Sequence, residues 1–295
     1  MTYRSDARLS ALEQSLLRLR LQADRVIGRV GGVSRSRQRG VGTEFHDLRP
    51  YVDGDDIRAI DWRVTARAGQ PFIRRFEEDR DRRLLLLVDA SGSMAFGSVR
   101  PHGPIRTKWI AALEVAVVLG LVAARERART AWRTPLASSP PQRGTQSVRE
   151  AFATLSRLEA AGPDDFDELV RQVARDRLDR SLCVLLTDRF FVPDRETTLA
   201  LGQIARRHDA VAVAVSDPAE FDLPDLGLVR LLDPETGRRR VFDSSSRPQR
   251  QRYRDAAAAR STTMRGRYQR IGIRLIEAST SDEPAVTAAP LLGGR

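Results

Sequence analysis

Three short, almost entirely apolar segments place the strongest constraint on how this chain can fold. They cover residues 84–88, 181–188 and 210–215, and helical patterns lie between them. Strands that are apolar on both faces have to be covered on both faces, which is typical of a parallel sheet packed between helices. The sequence therefore predicts an α/β fold with a doubly wound, mostly parallel sheet.

The helical patterns consist of apolar residues that recur at three- and four-residue steps. They predict helices over residues 6–30, 107–125, 147–160, 164–178, 194–207 and 248–270. Three further segments predict strands: the weak pattern over 128–137, a hairpin over 227–243 with a Pro-Glu-Thr-Gly turn, and a last strand over 272–280. These elements suffice to flank the apolar strands on both faces.

The chain divides by composition into four parts. Residues 1–35 are predicted to form an N-terminal helix and a flexible basic linker, and residues 36–80 are irregular and β-rich. Residues 81–282 contain the alternating strands and helices. Residues 283–295 are predicted to form an irregular tail.

The longest apolar stretch, residues 109–124, is predicted to be a buried helix. It is shorter than the roughly 20 residues of a membrane span, and it contains Glu114. The first ten residues lack the apolar core of a secretion signal, and the single cysteine, Cys183, excludes a disulfide within the chain. We therefore expect a cytoplasmic protein with no membrane span.

The chain has 50 basic and 39 acidic residues, which gives a net charge of +11. A positive net charge attracts acidic partners. Lys108 is the only lysine, so the other 49 basic residues are arginine. The arginines are spread along the whole chain, without a zinc finger or an RNA-binding signature. We expect them to form solvated surface, and we do not expect nucleic acid as the partner. Nucleic-acid association through the arginine surface remains an alternative hypothesis.

Two of the apolar strands run directly into carboxylates and hydroxyls. Residues 84–88 are followed at alternate positions by Asp89, Ser91 and Ser93. The segment 181–188 ends on Thr187 and Asp188. Ligands bind at the carboxyl ends of parallel strands, and hard oxygen donors without histidine or cysteine suit Mg²⁺ or Mn²⁺. The sequence predicts a Mg²⁺ (or Mn²⁺) site here; the alternative is that Asp89 and Ser91 only cap a turn.

The donor set favours binding over catalysis. Two carboxylates and neutral hydroxyls just balance a divalent ion, and an open position could accept an Asp or Glu of another molecule. Aspartyl-phosphate phosphatases carry a second aspartate where this chain has Ser91, and neither Ser91 nor Ser93 has the glycines of a hydrolase motif. The surroundings of Lys108 lack the Gly-Lys-[Ser/Thr] motif of a P-loop. We therefore expect no enzymatic activity and no ATP hydrolysis.

A second group of acids lies in the β-rich segment, at positions Asp53, Asp55, Asp56 and Asp61. These residues could form another cation site. The planar guanidinium of arginine binds carboxylates well, and nearby arginines include Arg58, Arg63 and Arg67. The sequence favours arginine pairing over a second cation site.

The motif "DASGSM", residues 89–94, resembles the metal-ion-dependent adhesion site (MIDAS) of von Willebrand factor A domains. The resemblance implies a Rossmann-like von Willebrand factor A-type fold, in which residues 36–80 are a β-rich N-terminal insertion. It also implies a metal held by three loops. Asp89, Ser91 and Ser93 match the first loop and Asp188 the third. Thr145 is the best-placed threonine for the second loop, and Thr134 is its rival.

Two longer segments resemble the hallmark sequences of the domain of unknown function 58 (DUF58) family. They are "GTEFHDLRPYVDGDDIRAIDWRVTARAGQPFIRRFEEDRD", residues 42–81, and "DPAEFDLPDLGLVRLLDPETG", residues 217–237. The resemblance extends over about residues 36–282. It implies a protein that acts with a MoxR-type AAA+ ATPase in the maturation or remodelling of other complexes.

Together, these observations predict a protein-interaction module that uses Mg²⁺ to bind an acidic residue of a partner. The resemblance makes that partner a MoxR-type AAA+ ATPase or its client protein. A metal-free, degenerate scaffold with the same fold is the second alternative hypothesis.

Overall fold

The computed structural model describes residues 3–30, 44–52, 55–77, 82–98, 105–158, 160, 165–188, 194–232 and 237–292. The chain forms two compact units. The larger comprises Met1–Val33 and Arg83–Arg295, and the smaller comprises Ser34–Arg82.

The helices, in chain order, are α1 (Tyr3–Val30), α2 (Trp62–Ala68), α3 (Lys108–Arg125), α4 (Thr145–Leu155), α5 (Phe166–Arg175), α6 (Arg195–Arg207), α7 (Arg247–Ile271) and α8 (Pro284–Leu292). The strands are β1 (Glu44–Pro50), β2 (Phe72–Glu77), β3 (Arg83–Val88), β4 (Arg129–Arg133), β5 (Leu182–Thr187), β6 (Asp209–Ser216), β7 (Leu228–Leu232), β8 (Arg239–Asp243) and β9 (Arg274–Ser279).

A parallel sheet with the strand order β4-β3-β5-β6-β9 forms the centre of the larger unit. The chain passes from β3 to β4 on one side and then returns to β5 on the other side of β3. The direction of winding therefore changes at β3. The carboxyl ends of β3 and β5 flank this switch point, which is where open α/β sheets bind ligands.

Alternate residues of β3 face opposite sides of the sheet. Leu84 and Leu86 belong to a core formed with α1, α3, α4 and α8, whereas Leu85 and Leu87 belong to a core formed with α5 and α6. Helices cover both faces, which explains why the strand is apolar throughout. The predicted α/β fold with a doubly wound, mostly parallel sheet is confirmed.

Helix α3 is the predicted buried helix, and it is apolar around most of its circumference. Its one carboxylate, Glu114, forms ion pairs with Arg18 of α1 and with Arg106. Among the described residues, no helix has both the length and the hydropathy that crossing a bilayer requires.

Both ends of the larger unit pack onto α3. The side chains of Leu19, Ala23 and Val26 place α1 in the same core as α3 and α8. The prediction of an irregular tail after residue 282 is wrong, because residues 284–292 form α8 and bury Ala285, Ala288 and Leu291. Pro290 lies inside this helix, and proline in the sequence had favoured an irregular segment.

The smaller unit contains a β-hairpin-like pair and an unpredicted helix. Strands β1 and β2 are antiparallel, as expected of a β-rich segment. Helix α2 follows Asp61, whose carboxylate accepts hydrogen bonds from the N–H groups of Arg63 and Val64, and it ends at Gly69 with φ of +70°. These two caps are local helix signals that outweighed the irregular pattern of the segment.

Of the four acids that the sequence singled out in the smaller unit, the three that the structure describes bind arginine or cap a turn or helix. Asp55 accepts two hydrogen bonds from Arg49, at 2.7 and 2.6 Å. Arginine pairing was therefore predicted correctly for Asp55, although not with this arginine. Asp56 caps a short turn through the N–H of Arg58 at 2.9 Å, while Asp53 lies outside the described residues.

A buried histidine joins α6 to the sheet and should make stability depend on pH. His208 is 4% exposed, and its Nδ1 lies 2.9 Å from Oγ of Ser181. Burial and the charges of Arg207 and Arg180 lower its pKa from 6.5. The unfolded chain therefore takes up this proton first, so His208 contributes stability above about pH 6.5 that is lost as the pH falls.

We expect His208→Gln to reduce the loss of thermal stability between pH 7.5 and pH 5. The comparison is made by calorimetry on the wild type and the variant at both pH values. An equal loss in the two proteins would contradict this assignment.

Candidate metal centre

Asp89 is fixed between the ends of β3 and β5. Its side chain is fully buried. The N–H of Ser91 donates to Oδ1 at 2.9 Å, and the hydroxyl of Thr187 donates to Oδ2 at 2.7 Å. The N–H of Asp89 also donates to the carbonyl of Leu186 at 2.9 Å. Both oxygens of this carboxylate are thus oriented by neighbouring strand ends.

The two serines and Asp188 complete a connected cluster. A 3₁₀ turn, Gly92–Ala95, follows Ser91 and brings Ser93 back beside it. The two hydroxyl oxygens are 3.1 Å apart, and the hydroxyl of Ser93 donates to Oδ1 of Asp188 at 3.0 Å. The structure therefore brings together Asp89, Ser91, Ser93 and Asp188, four of the five residues that the sequence singled out.

Thr145 does not join this cluster. After β4 the chain turns back, and Thr130 exchanges two backbone hydrogen bonds with Gln142. Thr130 lies opposite Leu84, near the amino-terminal end of β3. The returning segment therefore places Thr145 at the amino-terminal ends of the strands, whereas the cluster lies at their carboxyl ends. Thr145 there begins α4 and is exposed.

Thr134 lies at the correct end of β4 but has another role. Its hydroxyl donates to the carbonyl of Ala137 at 3.1 Å. It also accepts hydrogen bonds from the N–H groups of Leu136 and Ala137, at 3.1 and 2.9 Å. Thr134 thus closes its own turn, and none of these hydrogen bonds reaches the cluster.

Sequence reasoning missed the cation of the site. Lys108, the first residue of α3, is 2% exposed. Its Nζ donates to Oδ2 of Asp188 at 2.5 Å and to Oε1 of Glu220 at 2.7 Å. Its status as the only lysine among 50 basic residues was the one available signal. Glu220 was not singled out, although it lies within segment 217–237, one of the two segments that resemble the DUF58 family.

The electrostatics of the cluster favour an additional positive charge. Burial, followed by the charge of Asp188, raises the pKa of Asp89. Burial lowers the pKa of Lys108, but Asp188 and Glu220 together outweigh it and raise the value above the usual one. Burial also raises the pKa of Glu220. Three carboxylates and one ammonium leave two negative charges in a water-poor site, which a divalent ion would neutralise.

A further carboxylate lies within electrostatic range of the cluster. Asp167 is in the first turn of α5. Burial and the charge of Asp194 raise its pKa, and the charge of Asp89 contributes as well. Asp167 therefore adds to the negative charge near Asp89.

The donor set fits Mg²⁺ or Mn²⁺. Within the described part of the chain, no three Asp, Glu, His or Cys side chains form a metal cage. The candidate instead combines the carboxylates of Asp89 and Asp188 with the hydroxyls of Ser91 and Ser93, all oxygen donors. Mg²⁺ prefers oxygen and usually retains several waters, so an incomplete protein cage of this kind suits it.

A close backbone approach beside the cluster requires glycine at position 97. A Cβ there would lie 2.6 Å from the carbonyl oxygen of Arg106 and 2.8 Å from Cα of Thr107. Thr107 caps α3 through the N–H of Ile110. Gly97 thus allows the loop after Ser93 to pack against the start of the helix that carries Lys108.

We expect Gly97→Ala to lower the free energy of unfolding by about 1–3 kcal/mol, because backbone atoms have to move apart. Gly202→Ala is the matched control: its Cβ would meet only Nη1 of Arg206, at 3.5 Å. In α6 that change should stabilise by about 0.5–1 kcal/mol. Urea unfolding of both variants measures the two changes in the free energy of unfolding. Equal changes in Gly97→Ala and Gly202→Ala would contradict the requirement for glycine at position 97.

The family model described as "Protein of unknown function DUF58" matches residues 47–263. The chain belongs to this family. The membership confirms what segments 42–81 and 217–237 predicted. It gives the candidate centre a family context but assigns it no activity.

The curated relatives of this DUF58 chain are uncharacterized proteins. Rv1480 of Mycobacterium tuberculosis H37Rv and Mb1516 of Mycobacterium bovis are each 30% identical over 213 residues, which is 69% of this chain and 64% of theirs. The chain thus spans slightly less than two thirds of their length. YeaD of Bacillus subtilis is 40% identical over 52 residues, 18% of this chain and 13% of YeaD.

Among solved structures, BatB from Bacteroides thetaiotaomicron aligns with a TM-score of 0.44 and 11% identity, over 72% of this chain and 96% of BatB. An aerotolerance-related membrane protein from Bacteroides fragilis aligns with a TM-score of 0.40 and 13% identity, over 71% of this chain and 96% of its own.

Proposed function

We propose that this chain is a non-enzymatic protein-interaction module whose Mg²⁺ centre binds an acidic residue of a partner. The observation that carries the proposal is the convergence of Asp89, Ser91, Ser93 and Asp188 at the switch point of the sheet. When bound, the ion would supply an electrophilic position that an Asp or Glu of another protein can fill. The arrangement supports a von Willebrand factor A-type interpretation of the fold.

The chain's own residues prepare the site. Thr187 and the N–H of Ser91 orient Asp89. The hydroxyls of Ser91 and Ser93 contribute oxygen without negative charge, so a bound divalent ion would remain able to attract a carboxylate. Lys108 compensates the charge of Asp188 through Oδ2, whereas the hydroxyl of Ser93 binds Oδ1.

Several features of the cluster support binding rather than catalysis. No histidine takes part in the hydrogen bonds that join these residues. The ammonium of Lys108 is engaged by two carboxylates, so it is not available as the phosphate-binding lysine of an ATPase. We propose that any ATP-driven step belongs to a partner, and the family resemblance makes a MoxR-type AAA+ ATPase, or its client, the first one to test.

The test begins with Mn²⁺ titration of the purified protein, followed by electron paramagnetic resonance. We expect saturable binding of one ion. The MoxR-type ATPase of the source organism is then immobilised, and its affinity for the protein is measured in Mg²⁺ and in chelator. Binding that requires Mg²⁺ supports the proposal.

Two results would refute the proposed function. The first is the absence of saturable Mn²⁺ binding at millimolar concentration, together with a partner affinity that is equal in Mg²⁺ and in chelator. This result would favour the alternative hypothesis of a metal-free scaffold. The other is affinity for nucleic acid that falls steeply with salt and does not depend on Mg²⁺, which would indicate the arginine surface instead.

A further inference from the structure

Lys108 occupies a position that needs a compact cation. The chain uses arginine at 49 of its 50 basic positions, yet it has lysine at this buried one. An ammonium is a compact charge with three donors, whereas a guanidinium is a broad planar fork. The site also lies in the first turn of α3, where the helix dipole disfavours a cation. Two close carboxylates offset that disadvantage.

The ammonium is anchored from several sides. Glu220 binds it through Oε1 and accepts a hydrogen bond from the N–H of Asp217 through Oε2, at 2.8 Å. The ring centroid of Phe96 lies 5.7 Å from Nζ, and the carbonyl of Phe96 accepts a hydrogen bond from the N–H of Lys108 at 2.9 Å. Lys108 is therefore held in place independently of Asp188.

The two oxygens of Asp188 consequently have different tasks. Oδ1 faces the hydroxyl of Ser93, and Oδ2 faces the ammonium of Lys108. The two oxygens of Asp89 likewise have different partners: Oδ1 accepts from the N–H of Ser91, and Oδ2 accepts from the hydroxyl of Thr187. Neither carboxylate is arranged to offer both oxygens to one ion.

We infer that Lys108 is a positioning residue that sets the ion preference of the centre, because it holds Oδ2 of Asp188 and leaves only Oδ1 for the ion. This inference rests on the proposed Mg²⁺ function. Mg²⁺ takes six ligands and is satisfied by single oxygens and water, whereas Ca²⁺ takes six to eight and commonly gains them from bidentate carboxylates. Lys108 thereby favours Mg²⁺ over Ca²⁺.

The test compares the dissociation constants of Mg²⁺ and Ca²⁺ by isothermal titration calorimetry in the wild type and in Lys108→Met. Loss of a positive charge strengthens binding of both ions, so the ratio of the two constants isolates selectivity. We expect the preference for Mg²⁺ to fall by about tenfold, since Asp188 could then bind through both oxygens. Arg254→Met, which removes one charge from the exposed pair with Asp222, should leave the ratio unchanged.

Lys108→Met/Glu220→Gln is measured as well, because it removes both charges of the buried pair and should fold if the single variant does not. It should show the same fall in preference. An unchanged ratio in these variants, or a wild type that binds Ca²⁺ as tightly as Mg²⁺, would overturn the inference and leave the proposed function standing. A wild-type protein that binds neither ion would overturn both the inference about Lys108 and the proposed function.

Discussion

Replacement of Asp89 by alanine should abolish divalent-ion binding and, with it, Mg²⁺-dependent binding of the partner. Loss of residues that merely orient metal ligands typically weakens affinity by about 10–100-fold, so loss of a ligand carboxylate should exceed 100-fold. Mn²⁺ titration by electron paramagnetic resonance measures the first effect. Partner affinity with and without chelator measures the second.

The fold should survive this change, because two effects oppose each other. The variant leaves the hydroxyl of Thr187 and the N–H of Ser91 without their acceptor, at a cost of about 1–3 kcal/mol for each buried group. It also removes a carboxylate whose pKa is raised by burial and by Asp188. Relief of that unfavourable charge offsets part of the loss, so circular dichroism should show a native spectrum.

Two further variants separate charge from packing. Asp89→Asn keeps an acceptor oxygen in nearly the same volume, and it should lose ion binding while retaining more stability than the alanine variant. Asp255→Ala removes an exposed carboxylate from α7 and should change neither property. Retention of wild-type Mn²⁺ affinity in Asp89→Asn would contradict the role of this carboxylate.

Local patterns were sufficient to predict the sheet and the four residues that meet in the candidate centre, Asp89, Ser91, Ser93 and Asp188. The apolar runs of β3 and β5 predicted strands with two covered faces, and a parallel arrangement places their carboxyl ends at one edge. Asp89 and Asp188 had to meet there. Their proximity followed from chain direction alone and required no knowledge of side-chain packing.

The remaining residues depend on contacts that no local pattern records. The resemblance to von Willebrand factor A domains favoured Thr145 for the second loop, but the backbone pairing of Thr130 with Gln142 places it at the amino-terminal end of the strands, away from the cluster. Lys108 and Glu220 are 112 positions apart and meet only because α3 begins above the ends of β5 and β6. Such pairings are decided by the tertiary arrangement, for which the sequence offered only the rarity of lysine.

The largest effect on stability is expected from Lys108→Met in the presence of chelator. The substitution keeps an unbranched side chain as far as Cε but removes the ammonium, and it leaves Asp188 and Glu220 without their shared cation in a site where Lys108 is 2% exposed. Removal of one partner from a buried ion pair typically costs about 3–5 kcal/mol, since the remaining charge has neither water nor a counter-ion. Urea unfolding measures the difference.

A double-mutant cycle assigns this cost to the ion pair rather than to lost packing. Glu220→Gln alone should destabilise less than Lys108→Met, because Asp188 still compensates the ammonium. The combination Lys108→Met/Glu220→Gln should recover part of the stability lost in Lys108→Met, because only one buried carboxylate is then left without a cation. Additive losses in the cycle would show that the two side chains are not coupled.

The exposed pair of Arg254 and Asp222 supplies the reference for a surface charge. Its side chains are 47% and 59% exposed, so Arg254→Met should cost less than about 1 kcal/mol. Lys108→Arg tests the need for a compact cation: the charge is retained, but the larger head should strain the site by about 1–3 kcal/mol. If Lys108→Met were no more harmful than Arg254→Met, the ammonium would not be the counter-ion on which Asp188 depends.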